Sequence, residues 1–242
     1  MQWEEVEEVD KYLRIKNQTQ NSADLYIYGV IISGDWKWED SDVTSTEIRD
    51  FLKTIDDVTN LNIYINSDGG SVFSGMAIYN MLKRHKAHKT VYIDGIAASI
   101  ASVIAMVGDK IVIPSNAYLM IHKAWNYTRG NSNDMREMAN ILDKIDEGIL
   151  NVYEGKIKDE VTLDKIKELV NNETWLTGKE AANYFKIEVG VENNTAACIS
   201  DNFKNYKRVP KQLEKVEVIK NKNDDIELLQ MELEIESSSF LL

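Results

Sequence analysis

One cysteine, Cys198, is all that the chain contains. That excludes an intramolecular disulfide and a thiolate metal cluster, and it suits a reducing compartment. Positive charge is also short: 28 Lys and Arg stand against 40 Asp and Glu, a formal net charge of −12. Nucleic-acid affinity rests largely on clustered Lys and Arg, so this balance argues against a general phosphate-binding role. The longest apolar stretch, 96–108, is too short to span a bilayer and carries two serines. The opening residues, MQWEEVEEVDKYLRIKNQ, are acidic and lack an apolar run, so they do not read as a signal peptide. The expectation is a soluble, cytoplasmic protein that binds neither nucleic acid nor membrane. Two local signatures are missing as well. No G-x-S-x-G marks a nucleophile elbow, and no G-x-x-x-x-G-K-[ST] marks a phosphate loop.

What is present is ordinary for a globular chain of 242 residues: 43% hydrophobic and 28% charged. Residues 25–33 (LYIYGVIIS) and 61–66 (LNIYIN) are β-branched and aromatic, and read as strands. Between them, Ile48, Phe51, Leu52 and Ile55 recur at helical spacing. Residues 71–85 read as a second helix, 89–93 as a strand, 98–107 as a helix, and 111–113 and 117–121 as strands. This alternation implies a mostly parallel sheet covered by helices, an α/β fold. A longer amphipathic helix is expected over 133–158, N-capped by Asn133, with Thr162 and Thr177 capping two further helices.

Ser99 sits where the strand VYID turns into a helix. Free backbone N–H groups and the positive end of the helix dipole gather at such a point. A serine there can attack a carbonyl while N–H groups hold the developing oxyanion. It can also be a packing hydroxyl, and Ser102, one turn inside the helix, is expected to bond a backbone carbonyl. A nucleophilic serine needs a base, and the chain has three histidines. His85 and His88 lie in the basic helix end KRHKAHK, where cations complement the dipole. His122 instead follows the apolar strand AYLMI at its C-terminal end, where open α/β sheets build their sites. NSDGGSV, residues 66–72, places paired glycines between a strand and a helix. That suits a tight turn, or backbone N–H groups presented to an oxyanion.

INSDGGSVFSGMAIYNMLK, DGIAASIASVIAMVGD, YLMIHKAW and ETWLTGKEAANYF occur in the order and spacing of the Clp protease proteolytic subunit (ClpP) family of serine peptidases, which 25–195 resembles. The resemblance implies a crotonase-like (ClpP-like) spiral of ββα units, with helix 133–158 as a protruding handle. It implies Ser99 as nucleophile, His122 as general base and Glu173 as the acid, where the family's usual residue is Asp. Gly69 and Ile100 would supply the oxyanion-hole N–H groups, and no metal or cofactor would be needed. Homo-oligomeric rings are implied, stacked heptamers enclosing a chamber, with unfolded polypeptide as substrate and an AAA+ unfoldase as a candidate partner. HKAW replaces the family's H-Q-P, the first residues do not resemble its axial-loop segment, and the tail beyond 200 is extra. These departures resemble the phage and prophage head-maturation branch, whose substrates are capsid or scaffold proteins. A housekeeping-type subunit and a catalytically weak assembly scaffold are the alternatives.

The expected organisation is an N-terminal extension (1–24), a peptidase domain (25–200) and a charged, flexible tail (201–242). Residues 204–225 are rich in Lys, Asn, Glu and Asp and show no packing pattern.

Overall fold

The computed structural model describes residues 21–34, 36–37, 39–192 and 201–214. Cys198, the extension up to residue 20 and the tail beyond 214 lie outside the described residues. In chain order the elements are β1 (Ser22–Tyr28), α1 (Ser45–Thr54), β2 (Asn60–Ser67), α2 (Val72–Arg84), β3 (His88–Ala98), α3 (Ile100–Ala105), β4 (Lys110–Pro114), β5 (Tyr118–Ile121), α4 (Ser132–Glu154), α5 (Leu163–Asn171), β6 (Thr174–Thr177), α6 (Gly178–Tyr184) and β7 (Glu188–Gly190). A 3-10 turn follows at Asp201–Asn205. Lys211–Glu214 form one helical turn in a second unit, 211–242. Among the described residues no helix is long and apolar enough to cross a membrane.

The α/β expectation holds. β1, β2, β3, β4 and β7 run side by side in parallel, and α1 and α2 make the first two crossovers. Residues two apart share a sheet face. Leu25 and Ile27, Ile63 and Ile65, and Val91 and Ile93 are therefore all buried in the core. On the opposite face Tyr26, Tyr64 and Tyr92 stand in register, and their rings stack at 4.6 and 5.1 Å.

β3 is longer than its apolar pattern predicts, and this positions the site. Its first half pairs with β4 through Thr90–Tyr92, while its end, Ile96–Ala98, pairs in parallel with β5. The chain then turns at once into α3, all six residues of which are buried. β6 lies antiparallel on β5 and brings the residues around Glu173 to the same end.

α4 begins at an Asn131 cap rather than at Asn133. Both asparagines are competent caps, but only Asn131 has an acid at its N3 position. Its side chain accepts from the Asn133 and Asp134 amides, and the Asp134 carboxylate accepts from the Asn131 amide. Thr162 and Thr177 cap α5 and α6 as expected. The C-terminal half of α4 is anchored by buried Ile149 and Tyr153, whereas Met135 and Ile141 nearer its start are exposed.

Candidate active site

Ser99 takes φ +54°, an uncommon conformation for a residue with a side chain. It is held there from both sides. Its N–H donates to the Met120 carbonyl on β5 (3.0 Å), and its own carbonyl accepts from the Ser102 amide (3.0 Å) and the Ser102 hydroxyl. The β3–β5 register, Ala98 opposite Met120, brings the residues just past both strands together. The result is Ser99 Oγ at 2.8 Å from His122 Nε2. Burial pushes the His122 imidazolium below its ordinary pKa, against opposing pulls from the Glu173 and Asp146 carboxylates. The ring is thus neutral near pH 7. With the proton on Nδ1, Nε2 accepts the Ser99 hydroxyl.

Gly69 lies against this pair. It sits at φ +100°, and a Cβ there would come within 2.7 Å of Ser99 Cβ and 3.3 Å of the Ile100 nitrogen. Only glycine fits both the backbone angle and the approach. Ile100 opens α3, so its N–H has no partner within the helix. The Gly69 N–H donates to Ser67 Oγ at 3.1 Å. The two residues expected to bind an oxyanion therefore flank Ser99, with one of the two amides engaged by a neighbouring hydroxyl.

Glu173 has other hydrogen-bond partners. It takes φ +49° between α5 and β6, and no hydrogen bond joins it to His122 among the described residues. Its Oε1 instead accepts from the backbone N–H of Lys207 (2.5 Å) and Arg208 (2.7 Å). It is near enough to act on His122 through space, while one of its two oxygens is held by the backbone of Lys207 and Arg208.

Ser102 and His85 have structural partners. Buried Ser102 bonds the Ser99 carbonyl and, at 2.7 Å, the Tyr153 hydroxyl. His85 bonds the Ile55 carbonyl through Nε2 and accepts the Ala87 amide at Nδ1, each at 3.2 Å. Among the described residues, no group of three or more His, Cys, Asp or Glu is placed to hold a metal ion.

Two residues of the site escape sequence reasoning. Tyr206 stands edge-on to His122, centroids 5.4 Å apart, and its hydroxyl donates to the Asp68 carbonyl at 2.5 Å. Burial raises its phenol above the usual range, with the Ser99 hydroxyl opposing. Phe203 packs on both Trp175 (5.4 Å) and Tyr206 (5.8 Å). Two aromatics three apart in a charged stretch are the only signal of this. Ser99, His122 and Tyr206 line a cleft of about 570 Å³, and exposed Trp36, Phe73, Trp125 and Tyr127 stand along it.

Residues 23–189 match the family model described as Clp protease. The chain is 28% identical over 144 residues to the ATP-dependent Clp protease proteolytic subunit of Bacteroides fragilis, covering 57% of this chain and 67% of that protein. It is 31% identical over 131 residues to ATP-dependent Clp protease proteolytic subunit 1 of Salinibacter ruber, covering 51% and 53%. The proteolytic subunit of Bacteroides thetaiotaomicron is 26% identical over 141 residues, covering 57% and 63%. The chain thus spans between about half and two thirds of the length of these curated relatives. With most of its length matched and the α/β fold in place, the chain belongs to the Clp protease family, a family of serine-type endopeptidases.

Proposed function

We propose that this chain is a serine endopeptidase whose nucleophile is Ser99 and whose general base is His122. The observation that carries the proposal is the 2.8 Å contact between Ser99 Oγ and His122 Nε2 at a constrained strand–helix junction. Ser99 Oγ attacks the peptide carbonyl as its proton passes to Nε2. The C–N bond breaks, the leaving amine takes that proton, and the serine ester is left. Water, deprotonated by the same imidazole, then releases the acid. Gly69 and Ile100 N–H groups stabilise the tetrahedral oxyanion, which requires the Gly69 amide to turn from Ser67 Oγ. Glu173 supports the imidazolium as a nearby carboxylate.

The substrates are unfolded polypeptides, admitted to a chamber formed by stacked homo-oligomeric rings. Within that class we place the chain in the head-maturation branch, acting on capsid or scaffold protein. The sequence Lys123-Ala124-Trp125 after the base and the chain beyond residue 200 support this. A second reading, work with an ATP-dependent unfoldase, draws on the names of the relatives.

A fluorophosphonate probe tests the chemistry. Labelling lost in Ser99→Ala and kept in Ser102→Ala is expected, and an unlabelled wild-type assembly would favour a scaffold. Incubation with capsid or scaffold protein tests the substrate. Cleavage that occurs only with an unfoldase and ATP would transfer the chain to the second reading.

A further inference from the structure

We propose that residues 203–208 form an intramolecular strap that holds the active site closed, with Tyr206 as the plug and Glu173 as the latch. The proposal rests on the peptidase reading of Ser99 and His122.

Several contacts converge on it. The Tyr206 ring stands against the His122 ring, and its phenol reaches the space beside Ser99. The same hydroxyl donates to the carbonyl of Asp68. Asp68 directly precedes Gly69, so the strap is tied to the turn that must present an amide to the oxyanion. A polypeptide laid between that turn and His122 has to displace the phenol.

The latch is the Glu173 carboxylate. The consecutive N–H groups of Lys207 and Arg208 converge on one of its oxygens, an arrangement that favours an anion. Glu173 is also the carboxylate available to support the His122 imidazolium. The strap therefore fills the approach to the nucleophile and binds one oxygen of the acid to its own amides rather than to the base. A segment that completed the site would do neither. It would leave the space beside Ser99 free and orient Glu173 toward His122.

The strap is built to release. Among the described residues its hold includes the Phe203, Tyr206 and Trp175 ring contacts and hydrogen bonds to Asp68 and Glu173. Lys204, Lys207 and Arg208 between and beyond the two aromatics remain exposed. The closed arrangement also leaves the buried Trp175 indole N–H without a partner among the described residues, a penalty that opening relieves. Opening exposes the cleft and frees Glu173 in one movement.

The test uses the full chain and a fluorophosphonate probe, with the labelling rate of Ser99 as readout. Tyr206→Ala removes the plug, and Phe203→Ala removes an anchor that does not touch Ser99 or His122. Each is expected to label at least about tenfold faster than wild type, as a shift from a mainly closed to a mainly open population requires. Loss of fold would slow labelling, so the direction separates release from damage. Acceleration in either variant supports the strap. Labelling of wild type at Ser99 with equal or slower rates in both variants overturns the strap and leaves the peptidase reading standing. No labelling in wild type or either variant sinks both.

Discussion

Ser99 and Ser102 lie three positions apart in one apolar segment, yet their partners separate them completely. Ser102 is fully buried and bonded to the Tyr153 hydroxyl and the Ser99 carbonyl. Ser102→Ala leaves the Tyr153 hydroxyl buried without that partner, so it is expected to cost about 1–3 kcal/mol in chemical denaturation while Ser99 still labels. Gly69→Ala acts in the opposite sense. Its Cβ would meet Ser99 Cβ at 2.7 Å, and the left-handed backbone would disfavour it. A loss of about 10²–10³ in acylation rate is expected, the scale of a lost oxyanion donor. Retention of wild-type rate would remove Gly69 from the mechanism. His122 sets the pH response. Under the proposed mechanism its neutral form is the base, so acylation falls as pH drops through its pKa. Burial holds that pKa below the ordinary value of about 6.5, so the midpoint of the labelling rate lies below it. Glu173→Gln removes a carboxylate that raises this pKa and moves the midpoint lower still. A midpoint above the ordinary value, or an upward move in Glu173→Gln, contradicts this account. Ser99, His122 and Gly69 were readable because each ends a recognisable strand or begins a recognisable helix. The engagement of Glu173 was not, because its partners are backbone amides of Lys207 and Arg208, and an amide carries no side-chain signal.

Elements with a long apolar period were equally readable. The helices around Ile48, Ile78 and Ile166 and the strands around Ile63 and Val91 stand where spacing puts them. β6 and β7, four and three residues long, are too short to show a period, and β6 is identified only by its pairing with β5. Strand β3 ran past its expected end because Ile96–Ala98 find a new neighbour in β5, a tertiary fact absent from local pattern. The start of α4 was decided by reciprocal capping rather than by residue type. That cap has a measurable consequence. Around its first turns α4 has mostly exposed residues, and its buried ones among the described residues all lie at 146 or later, so the Asn131 box supplies much of the local order. Asn131→Ala is expected to cost about 1 kcal/mol. The loss should appear in hydrogen exchange as reduced protection in the N-terminal half of α4, with protection around buried Ile149 unchanged. Equal loss at both ends would mean that the helix opens as one unit.

The same exposed half of α4 bears on assembly. Phe73 and Met76 of α2 and Ile141 and Ile145 of α4 line an apolar cleft of about 600 Å³. Phe73 is 73% exposed and Ile141 44%. A contiguous apolar surface of this kind is unusual on a monomer and is ordinarily covered by a partner. Under the proposed ring architecture the partner is another copy of this chain. Each copy carries a net charge of −12, so the apolar contact must outweigh like-charge repulsion, and added salt should strengthen association by screening it. Ile141→Asp adds one more negative charge to the cleft without disturbing the core, since its side chain already meets solvent. Native mass spectrometry should then show smaller species than wild type at equal concentration, with circular dichroism unchanged. Ser99→Ala, which removes only the hydroxyl of the proposed nucleophile, should assemble normally. An Ile141→Asp chain that keeps the wild-type mass would show that copies do not meet through this face, and the handle would then have to be assigned another occupant.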